Sequence, residues 1–224
     1  MSIWIKICGN TSLEDALLAA EAGADAVEFV FAQSPRRVTA AQAATIIPRL
    51  PATVEKIGVF VDAPLDEIVT ATQACGLTGV QLHFDAPTEL SARLHERLGS
   101  ELRILRVMHF RAEHAVKHAA QLAEHAQNPH VDAVLVDSRT ALAVGGTGVI
   151  FDWDAASKTL FQNANAQKRM VAAGGLNPAN VAEAIAALHP WGVDVVSGVE
   201  TEPGRKDPAK VREFITRVRA VNRA

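Results

Sequence analysis

Only two of the 224 residues are cysteine, Cys8 and Cys75. That is too few for a disulfide framework and points to a reducing, cytoplasmic setting. No stretch reaches the roughly 18 apolar residues that a membrane-spanning helix needs. The N-terminal MSIWIKICG also lacks a charged leader ahead of a long apolar run. Basic charge is not in surplus: 22 Lys and Arg stand against 25 Asp and Glu, a formal net charge of −3. That balance offers no cationic face to nucleic acid and no attraction to a membrane, so any affinity for an anion must be local. Linkers and low-complexity tracts are missing, as are a zinc motif, a P-loop and a nucleophile elbow. The remainder is ordinary globular composition, 49% hydrophobic and 21% charged, in a length that fits one domain over 1–224.

Within that domain, short β-branched runs alternate with alanine-rich amphipathic stretches from end to end. The spacing predicts strands at 4–8, 26–31, 55–60, 79–83, 103–108, 132–136, 169–173 and 193–197. Helices are expected at about 12–22, 39–49, 64–75, 88–98, 111–126, 153–163, 180–189 and 208–222. Ser12 opens an S-x-x-D start, Thr39 precedes an alanine-rich turn, and Asp207-Pro208 opens the last helix. Strands apolar on both faces belong in a parallel sheet covered by helices, and eight short strand-helix units close naturally into a (β/α)8 TIM barrel. The alternative, an open doubly wound sheet, lacks its G-x-G-x-x-G fingerprint after the first strand.

In such a barrel chemistry collects where strands end and the following loops begin. Those positions hold Cys8 after strand 1, Arg36 in Ser34-Pro35-Arg36 after strand 2, and His83 at the end of strand 4. Asp137 follows strand 6, with Gly145-Gly146-Thr147-Gly148 beyond it; Gly174-Gly175 follow strand 7, and Ser197-Gly198 follow strand 8. Three glycine clusters after the last three strands suit a phosphate, because glycine lets several backbone N–H groups approach one anion. A thiolate can abstract a proton and a carboxylic acid can donate one, so Cys8 and Asp137 across the mouth form an acid-base pair. Taken singly, Cys8 also fits a buried packing residue, Asp137 a loop cap, and His83 a hydrogen-bonded core histidine. The planar guanidinium of Arg36, stiffened by Pro35, suits a carboxylate. His114 and His118 have a metal-binding i, i+4 spacing, but no third ligand stands near them and a solvated helix face explains them.

The segments KICGNT (6–11), AGADAVEFVFAQSPRRV (22–38), KIGVFVD (56–62), VQLH (80–83), LVDS (135–138), GGTGVIFDW (145–153), AAGGLNPANV (172–181) and GVDVVSGVETEPGRKD (192–207) run in order along the chain. Together they resemble the phosphoribosylanthranilate isomerases of tryptophan biosynthesis over nearly the full length. The resemblance implies an Amadori rearrangement of N-(5-phosphoribosyl)anthranilate, with Cys8 as general base and Asp137 as general acid. It implies Arg36 at the anthranilate carboxylate and Gly146, Gly174, Gly175, Ser197 and Gly198 at the phosphate; His83, at the end of strand 4, is expected to bind substrate. No metal or organic cofactor is implied. The partner is a small phosphorylated substrate, with the chain acting as a monomer or homodimer.

Two positions depart from the family pattern, which usually has glycine where this chain has Glu28 and Phe84. Glu28 alternates with Val27 and Phe29, which would place it on the face that looks into the barrel, with Lys6 on the adjacent strand as its partner. Two other readings fit parts of the pattern. A histidine-pathway sugar isomerase would carry an aspartate at Cys8 and a matching glycine pair in the first half; a phosphate-sensing barrel would need no acid-base pair.

Overall fold

The computed structural model describes residues 2–83, 86–110, 112–137, 156–161 and 168–221. Eight parallel strands close on themselves in chain order, forming a single-domain TIM barrel. They are β1 (Trp4–Ile7), β2 (Ala26–Val30), β3 (Glu55–Phe60), β4 (Gly79–His83), β5 (Arg103–His109), β6 (Ala133–Asp137), β7 (Arg169–Ala173) and β8 (Gly192–Val195). The helices described around them are α1 (Leu13–Glu21), α2 (Ala40–Ile46), α3 (Leu65–Cys75), α4 (Glu89–Leu98), α5 (Ala115–Gln127), α6 (Val181–Leu188) and α7 (Pro208–Val221). Of the helix expected at 153–163, the described part is a π-helical turn at Ser157–Phe161. Gly146, Thr147 and Phe84 lie outside the described residues.

Helix starts follow the local chemistry read from the sequence. Ser12 accepts from Asp15 N, and Thr39 and Gln42 form a reciprocal capping box. Asp207 Oδ1 accepts from the backbone N–H groups of Ala209 and Lys210 at the start of α7. The expected 39–49 helix loses its last turn to a 3-10 segment, Ile47–Arg49, because Pro48 has no N–H for the α-helical ladder.

Strand alternation sorts side chains into two layers. Ile5, Val27, Val80, Ile104, Val134, Met170 and Val193 pack outward against the helices. Trp4, Ala26, Ile57, Leu105, Leu135 and Val171 fill the interior. The bottom of the barrel is closed by Trp4 stacked on Trp191 at 5.1 Å, with the Arg169 guanidinium 4.9 Å from the Trp191 ring. This end, where strands begin, serves stability and leaves the other end for chemistry.

Two features at that other end were not read from the sequence. β8 stops at Val195 rather than Ser197, because the chain turns into a 3-10 segment at Ser197–Val199. A small antiparallel hairpin follows, β9 (Glu200–Glu202) with β10 (Arg205–Lys206). The Pro203-Gly204 pair at its tip is a turn signal that marks it.

Candidate active site

Register places the mouth residues. β1 aligns with β2 as Lys6 to Ala26 and Ile7 to Val27, so the next inward position, Cys8, comes level with Glu28. On its other side β1 aligns with β8 as Lys6 to Asp194, and Cys8 N donates to Val195 O at 2.9 Å. Asp137 closes β6 level with His109 and Ala173, and is buried. His83 closes β4 level with Val107. The loop after β1 is tied to β2 by Asn10, fully buried, whose backbone N–H donates to Glu28 O at 2.9 Å and whose side-chain amide reaches Ile7 O at 2.8 Å.

Around Cys8 lie two charged groups of side chains. Inside the barrel, Lys6 Nζ is paired with Glu28 Oε2, lies 3.1 Å from Asp194 Oδ1 and donates to Gln81 Oε1 at 2.8 Å. Cys8 Sγ donates to the other Glu28 oxygen, Oε1. Glu28 thus faces the interior and pairs with Lys6, as strand parity requires. Donor atoms of Cys8, Glu28 and Asp194 lie within 4.8 Å of one another, and the Lys6 ammonium is the cation set against both carboxylates.

The second group closes over Cys8 from the β8 side. Arg36 donates through Nε to Glu200 Oε1 at 2.9 Å and through Nη2 to Glu200 Oε2 at 2.6 Å, a two-pronged pairing. Lys206 lies 3.0 Å from Glu200 Oε1 and donates to the carbonyl of Cys8. The hydrogen bond to Glu200 raises the Arg36 pKa against the opposing effect of burial, and the Glu200 and Cys8 charges add to the rise. Burial pushes the Glu200 carboxyl up, but the Arg36 hydrogen bond and the Lys206 charge outweigh it and hold it below its ordinary value. Gly9 makes room for this arrangement: its φ is +73°, and a Cβ there would meet Arg36 Cδ at 2.6 Å.

The side of the mouth expected from the sequence to take a phosphate is built from backbone. Gly174 and Gly175 follow β7 with φ of 84° and 69°, a left-handed pair open to glycine but strained for other residues. Gly175 and Ser197 are exposed at the mouth. Gly198 lets the two loops touch, since a Cβ on it would overlap Leu176 O and meet Asn177 Cβ at 2.9 Å. Gly198→Ala should therefore force the β7 and β8 loops apart. The expected cost is about 1–3 kcal/mol, roughly 2–4 °C of melting temperature for each kcal/mol in a domain of this size. Thermal unfolding checks it, and an unchanged melting temperature would mean the contact relaxes freely.

This arrangement has close relatives. Residues 5–217 match the family described as N-(5'phosphoribosyl)anthranilate (PRA) isomerase. The chain belongs to that family. It is an isomerase of tryptophan biosynthesis. It is 46% identical over 214 residues to the N-(5'-phosphoribosyl)anthranilate isomerase of Pelobacter propionicus, covering 95% of this chain and 94% of that one. The crystal structure of the Thermotoga maritima phosphoribosyl anthranilate isomerase superposes with a TM-score of 0.83 at 34% identity, covering 97% and 99% of the two chains. A crystal structure of a phosphoribosyl anthranilate isomerase in complex with reduced 1-(o-carboxyphenylamino)-1-deoxyribulose 5-phosphate superposes with a TM-score of 0.79 at 33% identity, with the same coverage of 97% and 99%. No helix among the described residues is long and apolar enough to cross a membrane.

Of the residues singled out in this isomerase's sequence, Asp137 ends its strand and Cys8, Arg36, Gly174, Gly175, Ser197 and Gly198 follow strand ends, all on one face of the barrel. The roles of Glu200, Lys206, Asp194 and Asn10 were not read from the sequence. Asp194 carried one signal, its inward parity in β8 beside two valines. Glu200 and Lys206 carried none beyond the turn signal between them, since the Arg36 partner of Glu200 is 164 positions away and the Cys8 carbonyl that Lys206 reaches is 198 away.

The depressed Glu200 carboxyl makes the clasp sensitive to acid. Its contribution to stability is complete above the ordinary carboxylate value of 4.5 and is lost as pH falls from there through the lower folded-state value. Glu200→Gln should thus lower the melting temperature at pH 7, with the gap to the parent chain narrowing below pH ~4.5. A gap independent of pH would show that the pairing adds no net stability.

Proposed function

We propose that this chain carries out the Amadori rearrangement of N-(5-phosphoribosyl)anthranilate to 1-(2-carboxyphenylamino)-1-deoxyribulose 5-phosphate, with Cys8 as general base and Asp137 as general acid. The observation that carries the reading is the position of Cys8, held at the end of β1 between an interior ion cluster and the Arg36–Glu200–Lys206 clasp. The bound compound in the related crystal structure is a reduced form of that product, a phosphorylated ribulose bearing a carboxyphenylamino group.

The chemistry asks for four things. The substrate phosphate needs a fixed anchor; Gly174, Gly175, Ser197 and Gly198, with Gly146 from the loop after β6, would supply backbone N–H groups. At the other end, the anthranilate carboxylate needs a cation. Arg36 is suited to that, since Glu200 grips its guanidinium by the Nε–Nη2 edge and Nη1 belongs to the other edge. Asp137 would protonate the ribose ring oxygen, so that the C1–O bond breaks and the ring opens to an iminium. Cys8 would then take the C2 proton on sulfur; the C–H electron pair forms C1=C2 and neutralises the iminium nitrogen, and the enolamine tautomerises to the ketone. His83 belongs to the substrate-binding set at the end of β4. Neither Cys8 nor Cys75 is in a disulfide.

The test is the loss of substrate fluorescence in a coupled assay that generates N-(5-phosphoribosyl)anthranilate in place, together with rescue of a tryptophan auxotroph lacking this step. Binding of a product analogue without turnover would instead support a phosphate-sensing barrel.

A further inference from the structure

Glu28 stands where the family pattern usually has glycine, and it touches the thiol assigned as base. Inside the barrel, one ammonium, Lys6, faces two carboxylates, Glu28 and Asp194. Lys6 and Glu28 have no solvent exposure, and Asp194 is 6% exposed. Lys6 thus serves both carboxylates at once. A buried carboxylate is costly unless donors or a proton serve both of its oxygens. The Cys8 thiol donates to Glu28 Oε1, while Lys6 holds Glu28 Oε2.

We propose that Cys8 and Glu28 share a single proton and work as one general-base unit, Glu28 taking up the thiol proton as Cys8 takes the C2 proton of the substrate. This rests on Cys8 being the base. The proton count closes: the C2 proton moves to Sγ, the former thiol proton moves to Oε1, and the C–H electron pair passes into the enolamine. The unit then holds two protons and releases one to solvent as Asp137 is reprotonated. Asp194 makes this electrically possible. When Glu28 becomes neutral, Lys6 keeps a carboxylate partner at 3.1 Å, so no ammonium is left unpaired in the interior. Also facing the pair among the described residues are Gln81 on β4, which accepts from Lys6, Arg36, whose guanidinium feels the Cys8 charge, and Lys206 on the Cys8 carbonyl with Glu200 behind it.

Two interacting acids lose their protons in two steps that belong to the pair. The first step leaves one shared proton and a unit able to accept another, so catalysis begins at a pH below that of a lone thiol. The second step leaves thiolate beside carboxylate, which repel, so full thiolate appears above it. The acid limb of kcat/KM and the pH-dependence of Cys8 alkylation should therefore be separated in the parent chain.

The experiment measures both limbs, by the fluorescence assay and by iodoacetamide labelling of Cys8 read by mass spectrometry, in the parent, Glu28→Gln and Glu28→Gly. Glu28→Gly installs the residue the family pattern usually has and keeps the Lys6–Asp194 pair, so it guards against loss of fold in Glu28→Gln. In both variants the limbs are expected to merge near the ordinary thiol range of about 8.5. The catalytic limb rises by at least about 1 pH unit, and kcat/KM at pH 6 falls about tenfold or more. Limbs that already coincide in the parent, or a catalytic limb that stays or moves down in both variants, overturn the shared proton. If instead Cys8→Ala keeps full turnover while the labelling limb still shifts with Glu28, the base assignment itself is wrong.

Discussion

Cys8→Ala is expected to lower kcat/KM by about 10²–10⁴-fold, the usual range for loss of a positioned general base. The side chain is small and buried, and its backbone N–H to Val195 O bond survives the substitution, so the barrel should keep its melting temperature within a few degrees. The loss should fall on kcat with KM little changed, because the phosphate and carboxylate ends of the substrate are assigned to other residues. Cys8→Ser should behave similarly, since a hydroxyl in the same place is a far weaker acid than a thiol. Steady-state kinetics on the anthranilate substrate, beside a thermal melt, decide it. Turnover that survives both substitutions would remove Cys8 from the mechanism and transfer attention to Glu28, the carboxylate it touches.

Asp137→Asn should be as damaging, by about 10²–10⁴-fold in kcat, for a different reason. The amide keeps the size of the acid and its place at the end of β6, level with His109 and Ala173, but cannot deliver a proton to the ring oxygen. Affinity for a product analogue, measured by calorimetry, should be retained within a few-fold, since the ring is already open in the product. A large loss of that affinity would assign Asp137 to binding rather than proton transfer. Substrates already opened to the iminium level would also separate the two variants: Asp137→Asn should turn them over, and Cys8→Ala should not.

The placement of most candidate residues on one face was legible from strand ends, because a parallel barrel gathers the ends of its strands there. Strand parity was also informative: with Val27 and Phe29 facing the helices, Glu28 had to face the interior, where Lys6 meets it. The two-pronged hold of Glu200 on Arg36 was not legible, and it changes what Arg36 is. A guanidinium read as a ligand for substrate alone is already bound along one edge, and only a fixed orientation of the other edge is on offer. The boundary of β8 was missed for a related reason: β-branched Val195 and Val196 continue the strand pattern, while the turn into Ser197–Val199 follows from loop contacts that include Gly198 against Leu176.

What the sequence by itself determined was periodicity and chemistry: eight strand-helix units, the side chains at their ends, the capping residues and the family. These depend on neighbours a few positions apart, and local spacing suffices to read them. The tertiary structure alone decided which inward residues meet. Closing β8 onto β1 set Asp194 beside Lys6 at 3.1 Å, and the β9–β10 hairpin brought Glu200 and Lys206 over Arg36 and Cys8. Alternation tells which face a side chain is on, but the register of strands nearly the whole chain apart is settled only when the barrel closes.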